Sequence, residues 1–281
     1  SVDSAPKWGI TVHDSHYGLI QDNVVYNTRG AGIVTADGTE SFNVFDHNFA
    51  LRVEGSGDFA PRSGYGGAAP DPGGEGSGFW FRGPNNYIRN NVAANADAFG
   101  FGLAAGSLDV VHIPKFKGAD TSHDAETVTI DTTSAPVLEF SNNEAYGAMQ
   151  AGVAFGWNGT ITNLRAWNTS RHGLTATPTD KLIVDGITVR GDASILARQV
   201  ENPTGVWLSN YAAKTIVVRN ADVQGMRTGV SSPFYQEVRA VEPGRGDGSV
   251  AVEGSYFRDY IGVVIATAYS AGAEAGVAVK K

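Results

Sequence analysis

Ile20-Gln21-Asp22-Asn23-Val24-Val25-Tyr26-Asn27 is an apolar residue, a variable one, an acid or amide, then alternating small and apolar positions. The pattern returns as Val44-Phe45-Asp46-His47-Asn48-Phe49-Ala50-Leu51 and as Ile88-Arg89-Asn90-Asn91-Val92-Ala93-Ala94-Asn95. It returns again as Phe140-Ser141-Asn142-Asn143-Glu144-Ala145-Tyr146-Gly147 and Ile161-Thr162-Asn163-Leu164-Arg165-Ala166-Trp167-Asn168, with weaker copies from Ile183, Val218 and Val252. Ten residues after Asp22, Asn90, Asn142 and Asn163 stand Gly32, Gly100, Gly152 and Gly173, each before an apolar residue; Gly229 and Gly262 follow later copies. The third positions (22, 46, 90, 142, 163, 185, 220, 254) lie 21 to 24 residues apart at the short end, and the longer spacings are the same unit plus an insertion.

A fixed period of short alternating segments punctuated by Gly and Asn describes stacked strands in a solenoid. No helix accompanies each copy, so the expected class is all-β: a single-stranded right-handed parallel β-helix of about eight coils with inserted loops. At ~4.8 Å between stacked strands the shaft is roughly 40 Å long. A β-sandwich, the rival architecture, requires no constant period. Insertions are expected at Glu54–Gly76, Ala104–Pro136 and Asp192–Pro203, with a fourth near Ser231–Ser249. The first is too glycine-rich to pack a core and reads as a mobile surface loop. No interdomain linker is evident, and 1–281 reads as one domain.

Composition narrows the function. The 281 residues carry 21 Lys+Arg against 29 Asp+Glu, a formal charge of -8, which is not the basic footprint of a nucleic-acid binder. No apolar run is long enough to span a bilayer. With no cysteine, disulfides and thiolate metal sites are excluded. There is no phosphate-binding loop, Gly-x-Ser-x-Gly elbow or His-Glu-x-x-His. Arg245-Gly246-Asp247 in a glycine-rich stretch reads as chance, and His112 and His123 read as ordinary loop residues.

In a solenoid, residues at equivalent coil positions meet. Counting back from the third positions sets His13 over Asp37, Asp14 over Gly38 and Arg82, and His16 over Glu40; the third positions themselves set Asp22 over Asp46. Counting forward one aligns Asn23, His47, Asn91 and Asn143. Histidines stacked on carboxylates suit acid–base chemistry or a metal, so His13, His16, Asp37, Glu40 and Arg82 are the candidate catalytic residues. Trp80, Glu75, His47, Arg52, Tyr87 and Arg89 are the candidate substrate contacts, with Trp80 suited to sugar stacking. Asp22 and Asp46 are the candidate ligands for a cation, for which calcium is the expected species; the same pair also reads as carboxylates capping turn amides.

The run Gly18–Leu103 resembles the β-helix region shared by the cell-migration-inducing hyaluronan-binding protein, transmembrane protein 2 and fibrocystin-like proteins. The matching pieces are Asp22-Asn23-Val24-Val25-Tyr26, Asp37-Gly38-Thr39-Glu40, Asn43-Val44-Phe45, His47-Asn48, Phe79-Trp80, Pro84-Asn85-Asn86, Arg89-Asn90-Asn91-Val92-Ala93-Ala94 and Phe99-Gly100-Phe101. The family's Leu-Glu-Asp-Gly is here Thr35-Ala36-Asp37-Gly38, and Ala31-Gly32 stands where a His is usual. The resemblance implies an extracellular, polysaccharide-directed β-helix, with hyaluronan depolymerisation the best-known family activity. The animal proteins' further domains are not in this sequence, which points to a bacterial relative. The expected function is therefore a secreted or cell-surface protein that cleaves an acidic, uronic-acid-containing polysaccharide by lyase or hydrolase chemistry. Its alternative is a non-catalytic glycan-binding shaft.

Overall fold

A computed structural model describes residues 1–55, 73–104, 110–132, 134–192, 203–208, 215–231, 249–259, 261–264 and 277–280. Three long parallel sheets, each with nine strands among the described residues, run the length of the chain. Every coil contributes one strand to each sheet in turn. Coil 1 supplies Val2–Asp3 to sheet A, Ile10–Val12 to sheet B and Leu19–Gln21 to sheet C. Coil 2 supplies Val24–Thr28, Ile33–Thr35 and Val44–Asp46; coil 3 supplies Phe49–Val53, Phe79–Phe81 and Tyr87–Arg89. The remaining coils repeat this order to Val277–Lys280, the last strand of sheet C. The class is a right-handed parallel β-helix, as expected from the repeat, with nine coils rather than about eight.

The interior follows from what each sheet turns inward. Sheet A contributes small residues in its middle coils, with Ala50, Ala93, Ala145 and Ala166 all buried. That leaves room for aromatic side chains from the other two sheets. Phe79 and Phe101 stack at 4.7 Å, and Phe45–Phe81, Phe101–Phe140 and Phe140–Phe155 meet edge to face at 4.8 to 6.0 Å. The repeat glycines form one column at the entry to sheet B, in which a Cβ on Gly100 would lie 2.6 Å from the Gly152 carbonyl and one on Gly152 2.7 Å from that of Gly173. Structure adds Gly78 and Gly205 to the column; a side chain at Gly32, Gly78, Gly100, Gly152, Gly173 or Gly205 would strike the next coil.

Turns are built from residues in the left-handed region. Between sheets C and A these are Asp22, His47, Asn90, Asn142, Asn163 and Asn220, with φ between +51° and +56°. Asx side chains tolerate this conformation best. Beside them runs a buried amide ladder: Asn23 donates to Asn48 Oδ1 (2.9 Å), Asn48 to Asn91 Oδ1 (2.9 Å), and Asn91 to Asn143 Oδ1 (3.1 Å). A second rung pair joins Asn43 to Asn86.

Register corrects the sequence alignment at its second copy. Phe45, not Val44, pairs with Ile20, and Asp46 pairs with Gln21. Asn48 therefore takes the ladder position given to His47, while His47 stacks on Asp22. The cause is a turn. Sheets B and C are joined by residues 13–18 in coil 1 and by 36–43 in coil 2, two residues more, so a 23-residue offset in sheet B (Ile10↔Ile33) becomes 25 in sheet C.

The second insertion forms an antiparallel hairpin, Val110–Pro114 with Thr127–Asp131, rather than irregular loop. It leaves the shaft in coil 4 and returns along the edge to coil 1, where the Tyr17 hydroxyl donates to the Pro114 carbonyl at 2.8 Å. Of the first insertion, Glu54, Gly55 and Gly73–Gly76 are described, and Gly73 packs over Ala31 and Trp80 on the outside of sheet B. Residues 56–72, 193–202 and 232–248, which include most of the expected loops, lie outside the described residues.

Candidate functional site

The B-to-C turns of the first two coils bring His13, Asp37 and Glu40 together, with one ligand-capable atom from each lying within 4.8 Å of the others. The longer coil-2 turn makes this possible. It folds back on itself through Gly38, whose φ of +94° only glycine adopts readily. The turn closes around the Glu40 side chain, which is fully buried. Glu40 Oε1 accepts the Asp37 N–H (2.8 Å) and the Asp14 N–H (3.3 Å), and Oε2 accepts the Gly38 N–H (2.7 Å). Asn86 of the next coil donates to the Glu40 carbonyl at 2.8 Å.

Asp37 stands at the mouth of this turn. One of its oxygens meets His13 Nδ1 and also accepts the Asp14 N–H at 3.1 Å. Burial pushes the Asp37 carboxyl up, but hydrogen bonds with Glu40, His13 and the Asp14 amide outweigh it and hold the group below the usual range. Glu40 moves the other way: burial and the neighbouring Asp37 raise it, overcoming its amide donors. The pair therefore ionises first at Asp37. His13, 73% exposed at its side chain, directs its other ring nitrogen away from this contact. With Asp37 accepting from Nδ1–H, Nε2 is the ring nitrogen left to accept a proton on a side chain that is largely exposed.

Other candidates lie around this centre or apart from it. His16 does not stack on Glu40; Tyr17, next to it, pairs with Ser41, and burial lowers the His16 pKa against the opposing pull of Asp14. Arg82 lies under the coil-2 turn and donates to the Ala36 carbonyl at 3.1 Å. Tyr17 stacks on Phe42 at 4.9 Å and forms the wall toward the hairpin. Trp80 is half-buried: its indole covers Gly102 and packs against Ala98, Phe99, Ala151 and Ala154 outside sheet B. Glu75 is buried and accepts the Ser77 hydroxyl at 3.0 Å.

The remaining named residues occupy the other turns and faces. Asp22 pairs with His47 at 2.6 Å on the C-to-A turns. Asp46 is taken by Arg89 (3.0 Å) and Asn90 (2.8 Å), and Arg89 also reaches Glu139. These contacts hold the Asp46 carboxyl low, Asn90 contributing most. Asp22 and Asp46 thus face different partners, and both Asp46 oxygens are engaged; they do not assemble the several-oxygen shell calcium requires. Among the described residues, His13, Asp37 and Glu40 are the group whose ligand-capable atoms lie close enough to hold a metal ion, with both Glu40 oxygens also accepting backbone amides. Arg52 pairs with Glu54 at the A-to-B turn, and Tyr87 lies half-buried on sheet C. Sequence reasoning passed over the Asp14 amide, which bridges Asp37 and Glu40; its signal was the extra pair of residues in the coil-2 turn.

A stacked shaft of three parallel sheets defines a parallel β-helix protein, here with a candidate site at the edge of its first coils. Within that class, the CEMIP beta-helix family model matches residues 1–153, more than half the chain, and the chain belongs to that family. Mouse fibrocystin-L is 32% identical over 97 residues, covering 33% of this chain and 2% of that protein. The human cell migration-inducing and hyaluronan-binding protein is 31% identical over 159 residues, 51% of this chain and 11% of that protein. The chain thus spans a small part of either relative. Among solved structures, the Siphovirus 9NA tailspike receptor binding domain matches 96% of this chain and 46% of its own (TM-score 0.48, 14% identity). The catalytic domain of a GH87 alpha-1,3-glucanase, solved with tetrasaccharides, matches 99% and 49% (TM-score 0.48, 13% identity). Among the described residues no helix is long and apolar enough to cross a membrane.

Proposed function

We propose that this protein is a secreted or cell-surface enzyme that cleaves a uronic-acid-containing polysaccharide at the edge of its first two coils. The observation that carries the reading is the His13–Asp37–Glu40 cluster, in which a buried carboxylate shapes a turn that presents an ionised Asp37 to an open imidazole. The name of the cell migration-inducing and hyaluronan-binding protein, an acidic polysaccharide binder, supports the substrate class.

The geometry favours a lyase over a two-carboxylate hydrolase. Glycoside hydrolysis places two carboxyl groups on either side of the scissile bond, about 5 to 9.5 Å apart. Glu40 is fully buried and capped by amides, so it reaches no bond in a substrate lying over Asp37. His13 Nε2 is placed to take the proton at C5 of a uronate, with Asp37 orienting the ring and stabilising the imidazolium that forms. Electrons from that C–H bond form the C4–C5 double bond as the C4–O bond breaks, and solvent protonates the departing oxygen. Arg82 supplies positive charge below the same turn, where a uronate carboxylate would otherwise meet Asp37. Glu40 acts as a positioning residue. A glycan-binding shaft without catalysis is less favoured, because Trp80 is engaged against the sheet rather than presented as a platform.

The test is incubation with uronate polymers, with and without chelator, following unsaturated ends by ultraviolet absorbance and total reducing ends. Unsaturated ends from the wild type, reduced at least a hundredfold in His13→Gln, match the proposal. Reducing ends without unsaturation point to hydrolysis, and retention without cleavage to a binder; either overturns it.

A further inference from the structure

At the far edge of sheet B from His13, the A-to-B connections of coils 1 to 3 form an open cleft of about 400 Å³ lined by Ser4, Asn27, Arg29, Arg52 and Glu54, among others. This volume is at the small end of ligand sites and suits one or two sugar units. Its charge runs against that of the chain, with two guanidinium groups facing one carboxylate. Glu54 is taken by Arg52 Nε at 2.9 Å. Among the described residues, no carboxylate pairs with the Arg29 guanidinium, although Arg29 and Glu54 occupy equivalent positions in successive coils.

A second observation is independent of charge. The residues of this column in the left-handed region, at or near the ends of the sheet A strands, are Ser4, Asn27, Arg52, Asn95, Gly147, Asn168 and Gly225. All are small or Asx/Ser types except Arg52, which holds φ +56° with a long side chain. Turn geometry alone is met better by the asparagines of the coils on either side. Strain retained at one position of a repeated turn marks a side chain kept for another purpose. The Arg52 guanidinium is aligned by Glu54 and lies 3.5 Å from the Tyr26 hydroxyl, beside a ring 37% exposed on sheet A.

We propose that this cleft binds the carboxylate of a uronate sugar, with Arg29 and Arg52 as its anion donors and the Asn27–Ser4 pair meeting sugar hydroxyls. This deepens, and rests on, the reading that the ligand is an acidic polysaccharide. The cleft is a second anchor point, joined to Asp37 by residues 30–36, which include the strand Ile33–Thr35. Holding the polymer at both edges of sheet B would lay it across the first coils.

The experiment uses sodium glucuronate and glucose as probes, titrated into the full chain carrying His13→Gln and followed by NMR or calorimetry. Saturable glucuronate binding with no glucose binding is expected. Arg29→Ala and Arg52→Asn should each weaken it about tenfold or more, the loss of one charge-assisted hydrogen bond. Arg52→Asn should also raise Tm by about 2 °C, since Asn suits the turn better. A purely structural Arg52 would instead lower Tm and leave binding unchanged. Equal binding of glucose, or unchanged glucuronate affinity in both variants, overturns the inference. If uronate polymers are cleaved but glucuronate does not bind, the inference fails while the catalytic reading stands. Arginine-dependent glucuronate binding by a wild-type protein that cleaves nothing supports the cleft and overturns the catalytic reading instead.

Discussion

Replacing Asn91 by alanine should remove a large part of the fold's stability, and the size of the loss follows from its hydrogen bonds. The Asn91 side chain is fully buried. Its Oδ1 accepts from the Asn48 N–H at 3.0 Å and from Asn48 Nδ2 at 2.9 Å. Its Nδ2 donates to the Phe45 carbonyl at 2.9 Å and to Asn143 Oδ1 at 3.1 Å. Four bonds at about 1 kcal/mol each give a loss of about 4 kcal/mol, and buried partners left unpaired push it upward. Against a total stability of roughly 5 to 15 kcal/mol this is severe. With a urea slope of about 3 kcal/mol/M, the unfolding midpoint should fall by roughly 1.3 M. Asn163→Gly is the control: Asn163 is exposed in the left-handed turn column, where glycine is equally at ease, and it loses only an exposed bond to Asn142 Oδ1 (3.1 Å), so its change should stay within about 1 kcal/mol. Circular dichroism against urea reads both. An Asn91→Ala loss below about 1 kcal/mol, or an equal loss in Asn163→Gly, would refute the claim that the buried ladder fastens the coils.

Gly152→Ala places a Cβ 2.7 Å from the Gly173 carbonyl and 2.9 Å from Ala166 Cβ, and should cost about 1 to 3 kcal/mol in urea unfolding. Burial holds His172 down to about 4, helped by the Arg171 charge, while its ring stacks on Trp207 at 4.9 Å. Because the unfolded chain binds this proton near pH 6.5 and the folded one near 4, the stability present above pH 6.5 falls as pH drops to 4, by about 3 kcal/mol. His172→Phe keeps a ring against Trp207 and should flatten that decline, read as unfolding midpoints at pH 7 and 4.5. Asp259, raised to about 6 mainly by burial, acts in the opposite sense over the same window, so the comparison is between variant and wild type. Glu40→Gln sets an amide N–H₂ against backbone donors and should lower stability by about 1 to 3 kcal/mol in thermal unfolding. Asp37→Asn, at a partly exposed site, should change it little.

Much of the architecture could be read from residues alone because a solenoid repeats its constraints. Asn23, Asn91 and Asn143 recur because a buried amide must meet its neighbour's, and Gly32, Gly100, Gly152 and Gly173 because the next coil's carbonyl leaves no room for Cβ. One-residue precision was lost at the second copy. Val44-Phe45-Asp46-His47 and Ile20-Gln21-Asp22-Asn23 share enough residue types to align in the wrong register, and only the length of the coil-2 turn sets the true one. That slip placed Asp22 on Asp46 and His16 on Glu40, whereas the contact of His13 with Asp37 survived it because both lie at the turn mouth. The hairpin was hidden inside an insertion, although the alternation in Val110-Val111-His112-Ile113 and in Thr127-Val128-Thr129-Ile130 was its signal. Burial of Glu75 and Glu40 had no sequence signature, since it depends on which segment folds over which face.

The role of Asp37 as the ionised partner of His13 is most directly tested by one time course. Wild type and Asp37→Asn, matched for melting temperature, are mixed with a uronate polysaccharide, and chain length is followed by size-exclusion chromatography. Shortening by the wild type, at least a hundredfold slower in the variant, is the expected result. Cleavage by the variant within twofold of the wild type would contradict the assignment of the chemistry to this turn.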